Sequence, residues 1–168
     1  MAADKAATLS PKQSPMQKKS FRRATASDAG TVRDITRAAY TKWVAAIGRE
    51  PKPMTANYEQ AVLDHVIDLL QEDGRPIALI EIIPGPSYLL IENIAVLPDR
   101  HGEGIGGVLL EHAETIARLL GVNELRLYTN AKFSTNLSFY AHRGFSEFLR
   151  EPHAAGGETV HMKKLVEG

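Results

Sequence analysis

The sequence predicts one α/β or α+β domain built on a mixed sheet, and three observations carry that prediction. Leu89–Leu120 runs from an apolar strand through Pro98 and a glycine-dense turn into an amphipathic helix. An antiparallel meander precedes that stretch, and strand and helix periods alternate after it. At 168 residues, with ordinary apolar and charged fractions, the chain is long enough for a single buried core.

Each element has a local reason. Residues 1–20 are rich in Ala, Lys, Ser and Pro with no apolar face and are expected to form a disordered tail, leaving 21–168 as the domain. Phe21–Thr25 is the first strand. Ser27 is placed to cap a helix running to about Ile47, with Val32, Ile35, Ala39, Trp43 and Ala46 near helical spacing and Gly48 as its stop. The stretch Gly48–Met54 reads as a loop. Asn57 with Gln60 three residues on resembles a capping box opening a second, shorter helix. Val66–Gln71 and Pro76–Ile83 read as strands joined at Asp73-Gly74, a strong hairpin signal. Pro84-Gly85-Pro86 turns the chain into Tyr88–Leu97, apolar on both faces except at Glu92 and Asn93 and therefore central in the sheet. The helix after the glycine turn carries Ile105, Val108, Leu109, Ala113, Ile116 and Leu120 on one stripe and ends at Gly121. Glu124–Thr129 is a strand, Ser134–His142 a short helix closed by Gly144, and Phe145–Arg150 and Thr159–Leu165 are closing strands. There is no internal repeat.

Composition excludes several classes. Basic and acidic residues balance at 20 each, so no bulk field draws the chain to nucleic acid or to an anionic membrane. No apolar run approaches the roughly 20 residues that span a bilayer. No signal-peptide core opens the sequence, which makes the cytoplasm the expected location. With no cysteine there is no thiolate nucleophile, disulfide or thiolate zinc site, and six histidines without ligand spacing predict no metal.

Gly102, Gly104 and Gly107 satisfy G-x-G-x-x-G between a strand and a helix. A dinucleotide domain opens with that motif, whereas here a meander precedes it, so the Rossmann reading fails on topology. A P-loop fails because Gly106-Gly107-Val108 supplies no Lys-Ser/Thr pair. Glycines at this density cost conformational entropy unless backbone must approach something. An anion cradled by backbone N–H groups at a helix N-terminus meets that condition. A pyrophosphate held without lysine or magnesium ligands in an open mixed sheet suggests coenzyme A.

The segment AVLPDRHGEGIGGVLL resembles motif A of the GNAT superfamily of acetyl-CoA-dependent N-acetyltransferases, written R/Q-x-x-G-x-G/A. Aligned on its glycines it reads His101-Gly102-Glu103-Gly104-Ile105-Gly106, with His101 in place of the usual Arg or Gln and Arg100 one residue earlier. A second segment, from Asn136 through Tyr140 to Gly144-Phe145, is similar to the family's later motif. The resemblance covers Phe21 to Leu165. It implies a mixed, mostly antiparallel sheet of six to seven strands flanked by about four helices. It also implies acetyl-CoA as cofactor, held by His101, Gly102, Glu103, Gly104, Ile105, Gly106 and Gly107. The backbone of Ile94, Ala95 and Val96 would bond the pantetheine arm, and Asn136 the coenzyme A arm. Tyr40, Trp43, Met54 and Tyr58 would line an acceptor pocket. Many relatives pair as dimers, so a homodimer is compatible with the family.

Acyl transfer to an amine needs a deprotonated nucleophile, a polarised thioester, a held cofactor and a proton for the leaving thiolate. The absence of cysteine excludes an acetyl-cysteine intermediate and favours direct attack in a ternary complex. Tyr140 is the candidate acid, since a phenol near pKa ~10 can protonate a thiolate whose thiol lies near ~8.5. Glu92 is the candidate base, on the premise that an apolar strand desolvates it; Glu81, inside IALIEII, is its rival. The expectation is an N-acetyltransferase acting on a primary amine of a small molecule or peptide. A non-catalytic acyl-CoA-binding module and a nicotinamide-dependent oxidoreductase are the alternatives.

Overall fold

The computed structural model describes residues 18–168. The expected tail lies outside the described residues up to residue 17, and the first strand, β1 (Lys19–Arg23), takes in Lys19 and Ser20. The elements that follow are α1 (Ala29–Tyr40), α2 (Val44–Ile47), α3 (Lys52–Thr55), α4 (Tyr58–Asp64), β2 (Val66–Glu72), β3 (Arg75–Pro84), β4 (Leu89–Val96), α5 (Ile105–Leu120), β5 (Glu124–Asn130), α6 (Ser134–His142), β6 (Ser146–Pro152) and β7 (Glu158–Leu165). Seven strands form one sheet in the order β1-β2-β3-β4-β5-β7-β6. All pairs are antiparallel except β4 with β5. The fold is the mixed, mostly antiparallel architecture that the sequence predicts, with β4 at its centre.

Both faces of the sheet are covered over β2 and β3, which is why they are buried along most of their length, whereas the edge strand β6 is exposed throughout. On one face Leu70, Ile80, Ile82, Leu89, Ile91, Leu125 and Leu127 pack with Ile105, Leu109, Leu110 and Ala113 of α5. On the other, Ile67, Leu69, Leu79 and Ala95 pack with Val32 and Ile35 of α1 and Tyr58 of α4. Adjacent Leu69 and Leu70 serve opposite cores, the expected consequence of a two-residue side-chain period.

Several local expectations change. The cap ahead of α1 is built by Thr25 and Asp28 rather than Ser27. The Asp28 carboxylate accepts from the Thr25 N–H at 2.7 Å, while the Asp28 N–H donates to the Thr25 carbonyl at 2.8 Å. The first helix does not continue to Ile47: it tightens over Thr41–Trp43 and resumes for one turn as α2. Gly48–Met54 is not all loop, because Pro51 and Pro53 set the dihedrals of a one-turn α3. On α5 the buried stripe is Ile105, Gly107, Leu109, Leu110, Ala113 and Ala117, whereas Val108 and Leu120 are exposed. The glycines of the first turn let α5 approach its neighbours on a side that apolar periodicity does not mark.

Two turns follow the sequence directly. Asp73 (φ 52°) and Gly74 (φ 82°) both take the left-handed conformation of a tight hairpin between β2 and β3. Asn57 caps α4 by accepting from the Gln60 N–H at 3.1 Å.

Candidate active site

The site begins where β4 leaves β5. Their parallel pairing covers only Leu89–Ile91 against Leu125–Leu127, while β4 continues paired to β3 as far as Val96. A bulge starts the separation: Glu81 faces Asn93 and Ile82 faces Ile91, which leaves Glu92 as the extra residue of β4. Beyond that bulge one edge of the central strand has no strand partner among the described residues, and two cavities open along it.

The larger cavity, of about 380 Å³, lies between this strand edge, α1 and the glycine turn. Ile94 and Val96 line it, together with His101, Gly102, Gly104, Ile105, Gly106, Asn136 and Tyr140. The Ala95 side chain is not in the cavity but in the core beneath α1. Gly102 and Gly104 take φ of 83° and 78°, a region open to glycine, and so turn the chain into α5. The first intrahelical bond is from Val108 N–H to the Gly104 carbonyl at 3.3 Å, which leaves the amides of Ile105, Gly106 and Gly107 without helical acceptors at a positive helix end.

Gly106 and Gly107 have a second reason to be glycine. A Cβ on Gly106 would sit 2.9 Å from the Phe139 ring, and one on Gly107 would overlap the Arg143 guanidinium. Glycine here lets α6 approach the start of α5, which brings Asn136 and Tyr140 to the cavity wall. The density of glycine thus reflects two turn residues and two packing residues, rather than close backbone approach to an anion at all of them.

The side chains of the motif's first positions are occupied within the protein. The His101 Nε2 lies 3.1 Å from the Val96 carbonyl. Arg100 forks onto Glu72 with two bonds of 2.9 Å and onto Glu103 with two more of 2.9 Å. Glu103 therefore holds Arg100 at the base of the turn. Backbone amides, not these side chains, are the free donors facing the cavity.

Tyr140 contacts Phe139 and Phe145 edge-on, and its hydroxyl makes no hydrogen bond among the described residues. Burial pushes this phenol up to about 12. Tyr40 donates to the Ile94 carbonyl at 3.4 Å and is raised further, by burial first and by the neighbouring tyrosines second. Trp43 stacks on Phe133 at 4.4 Å and lines the same cavity.

The second cavity, of about 100 Å³, is lined by Tyr40, Arg49, Lys52, Glu92, Tyr128, Phe133 and His153, among others. Among the described residues Tyr40 alone lines both. Glu92 does not sit among apolar groups, as its strand suggested. Its Oε1 accepts from the Tyr128 hydroxyl at 2.5 Å and lies 3.2 Å from the Lys52 ammonium, which in turn donates to Tyr128 at 3.0 Å. Lys52 is raised above its ordinary value by that bond to Tyr128 and by the Glu92 charge, and burial brings Tyr128 to about 12. The bulge carries Glu92 off the apolar face, and β5 supplies the phenol from a distant part of the chain.

Glu81 and two proposed acceptor residues lie elsewhere. The Glu81 carboxylate bonds the His65 ring at 2.6 Å, and burial raises it. Tyr58 is fully buried, donates to the Pro53 carbonyl at 2.7 Å and borders a third cavity of about 300 Å³ shared with Glu81, Glu92 and Asn93. Met54 is a core residue whose carbonyl accepts from Arg37 at 2.8 Å, and it lines none of these cavities. Sequence reading missed Lys52, Tyr128, Arg49 and His153. Lys52 had only proline neighbours as a signal, and Tyr128 read as one position of an alternating strand.

Among the described residues no group of three His, Asp or Glu is arranged to hold a metal ion, and no helix is long and apolar enough to cross a membrane.

Comparison with known proteins agrees with this geometry. No curated protein matches the chain in sequence. A GNAT-family structure from Desulfovibrio desulfuricans superposes with a TM-score of 0.75 at 23% identity, over 89% of this chain and all (100%) of that one. The PaiA N-acetyltransferase of Thermoplasma acidophilum, in complex with coenzyme A, gives 0.75 at 21% identity over 88% and 99%. The ribosomal-protein alanine N-acetyltransferase of Escherichia coli gives 0.68 at 20% over 90% and 96%. The family model for the acetyltransferase (GNAT) family matches residues 31–145, the span that holds the strand edge, the glycine turn and α6. The chain belongs to the GNAT acetyltransferase family.

Proposed function

We propose that this protein transfers an acetyl group from acetyl-CoA to a primary amine by direct attack in a ternary complex. The observation that carries the reading is the parting of β4 from β5. It leaves a large cavity walled by Tyr140 and a small one walled by Glu92, in contact through Tyr40.

The large cavity fits coenzyme A. It offers a strand edge without a strand partner, its Ile94 and Val96 carbonyls met only by the Tyr40 and His101 side chains among the described residues, and free helix-terminal amides for a diphosphate. Coenzyme A when acetylated supplies a thioester carbonyl open to attack. Gly102–Gly107 bind its phosphates through backbone, Ile94 and Val96 orient the arm, and Asn136 bonds it from α6. Glu92 accepts a proton from the amine, with Lys52 and Tyr128 fixing the carboxylate. Burial keeps Tyr140 protonated, so its proton is present in the cavity wall for the sulfur as it leaves.

The test is thiol release from acetyl-CoA with a panel of primary amines, for the wild type and Tyr140→Phe. Amine-dependent turnover lost in the variant, with acetyl-CoA affinity retained, supports the reading. Equal and negligible turnover in both proteins would identify a non-catalytic acyl-CoA binder instead.

A further inference from the structure

Arg49 is a partly buried cation in the wall of the small cavity, and among the described residues no partner of its guanidinium carries a negative charge. It donates to the carbonyls of Ala155 at 3.2 Å and Gly156 at 3.4 Å, and lies 3.3 Å from the His153 ring. Eight other arginines among the described residues (22, 23, 33, 37, 100, 118, 126 and 150) each reach a carboxylate. Of the remainder, Arg75 points to solvent and Arg143 lies over the Phe139 ring. Among the described residues Arg49 alone is held in a cavity with its charge unanswered.

The lining of that cavity contains one acid, Glu92, and two cations, Arg49 and Lys52. Lys52 already balances Glu92 at 3.2 Å, so the surplus charge is positive. A purely cationic acceptor such as a polyamine would meet like charge there. An anionic group would complete it, since a guanidinium held by its neighbours presents donors that match a carboxylate. The volume, about 100 Å³, suits a small acceptor or the amine-bearing end of a longer one.

We infer that the acceptor is a small aminocarboxylate, whose carboxylate binds Arg49 while its amine faces Glu92. This rests on the acetyl-transfer reading above. In the step a nitrogen–carbon bond forms and the carbon–sulfur bond breaks. Of the two protons the ammonium loses, one ends on the sulfur and the other leaves to solvent through the carboxylate base.

The experiment compares glycine, β-alanine and 4-aminobutyrate, each with its own primary amide, alongside spermidine and a short peptide opening with aspartate. Thiol release gives kcat/KM in the wild type, Arg49→Met and Arg49→Lys. At least one free acid should exceed its amide by about tenfold to a hundredfold, the range of a charge-assisted hydrogen bond. That ratio should fall towards one in Arg49→Met and recover in part in Arg49→Lys. It is read first in the wild type, so the inference does not depend on a variant folding. Amides matching their acids in all three pairs, spermidine as the best acceptor, or the peptide surpassing every free acid would overturn it. If no amine turns over, the acetyl-transfer reading fails separately, and thermal stabilisation of the coenzyme A complex by acid against amide decides. Stabilisation by an acid alone, lost in Arg49→Met, supports the assignment; equal effects overturn it.

Discussion

The Tyr128 hydroxyl donates to the Glu92 carboxylate at 2.5 Å, from a strand that has stopped pairing with the strand Glu92 belongs to. The bond bridges the gap between β4 and β5 and fixes the carboxylate in the wall of the small cavity. Removing the carboxylate while keeping its shape tests its role. Glu92→Gln should lower kcat by about 10²–10⁴, the usual contribution of general-base catalysis, and Tyr128→Phe by less because the carboxylate remains. Steady-state thiol release at saturating amine reads both. A Glu92→Gln enzyme with undiminished kcat would remove Glu92 from the mechanism.

Tyr140 is the second test. Its phenol is raised to about 12 by burial, so it stays protonated through any ordinary assay range. Its ionisation should therefore produce no alkaline fall in kcat below about pH 10. Tyr140→Phe should lower kcat by roughly ten- to a thousandfold at every pH while leaving the dissociation constant of acetyl-CoA within about threefold. A matched loss of affinity would mark Tyr140 as a packing residue.

The glycine turn makes a prediction in which position matters. Gly104 has φ 78°, and alanine there should cost about 1–2 kcal/mol of stability and raise KM for acetyl-CoA. Gly106 has no such dihedral, but a Cβ would press to 2.9 Å on the Phe139 ring and shift α6. Gly106→Ala should therefore raise KM and also lower kcat, because α6 carries Tyr140. Equal kcat in Gly106→Ala and the wild type would break the link between that glycine and the acid.

Glu72 supports the turn from β2 by receiving the Arg100 fork at 2.9 Å. Glu72→Gln leaves Arg100 with Glu103 as its carboxylate partner. The expected result is a several-fold rise in KM for acetyl-CoA with kcat nearly unchanged. A change in kcat alone would show that the clamp does not act through cofactor binding.

Asp28 predicts an acid-stability window. The Arg22 fork, at 2.9 and 3.0 Å, and the Thr25 N–H hold its carboxyl at about 2. A depressed carboxylate stabilises the fold above its ordinary value and loses that contribution as pH falls through about 2. Because Arg22 is partly exposed, screening reduces the effect to about 1–2 kcal/mol. Urea unfolding of Asp28→Asn should show that deficit at pH 7, shrinking towards pH 2. A deficit independent of pH would assign the effect to packing.

What the sequence determined by itself is the part set by neighbours along the chain. Asp73-Gly74 specifies a left-handed pair whatever surrounds it, and Asn57 caps α4 through a bond three residues long. Gly102 and Gly104 turn the chain into α5, and the apolar run at Leu89–Val96, broken only at Glu92 and Asn93, places β4 at the centre. These are local dihedral and periodicity effects, and together they suffice for the layered mixed sheet and its free helix end. The tertiary structure alone decided which charges face one another. His101 reads as a phosphate ligand in line with its motif, yet its ring turns to Val96, and Arg100 is taken by a residue on β2. Glu92 reads as a carboxylate in apolar surroundings until the bulge opposite Glu81 and Ile82 turns it to Lys52 and Tyr128. Long-range electrostatic partners are chosen by where strands separate and loops cross. The backbone at Leu89–Leu120 could thus be read in advance, whereas the side chains that would select an acceptor, Arg49 foremost, became visible only in three dimensions.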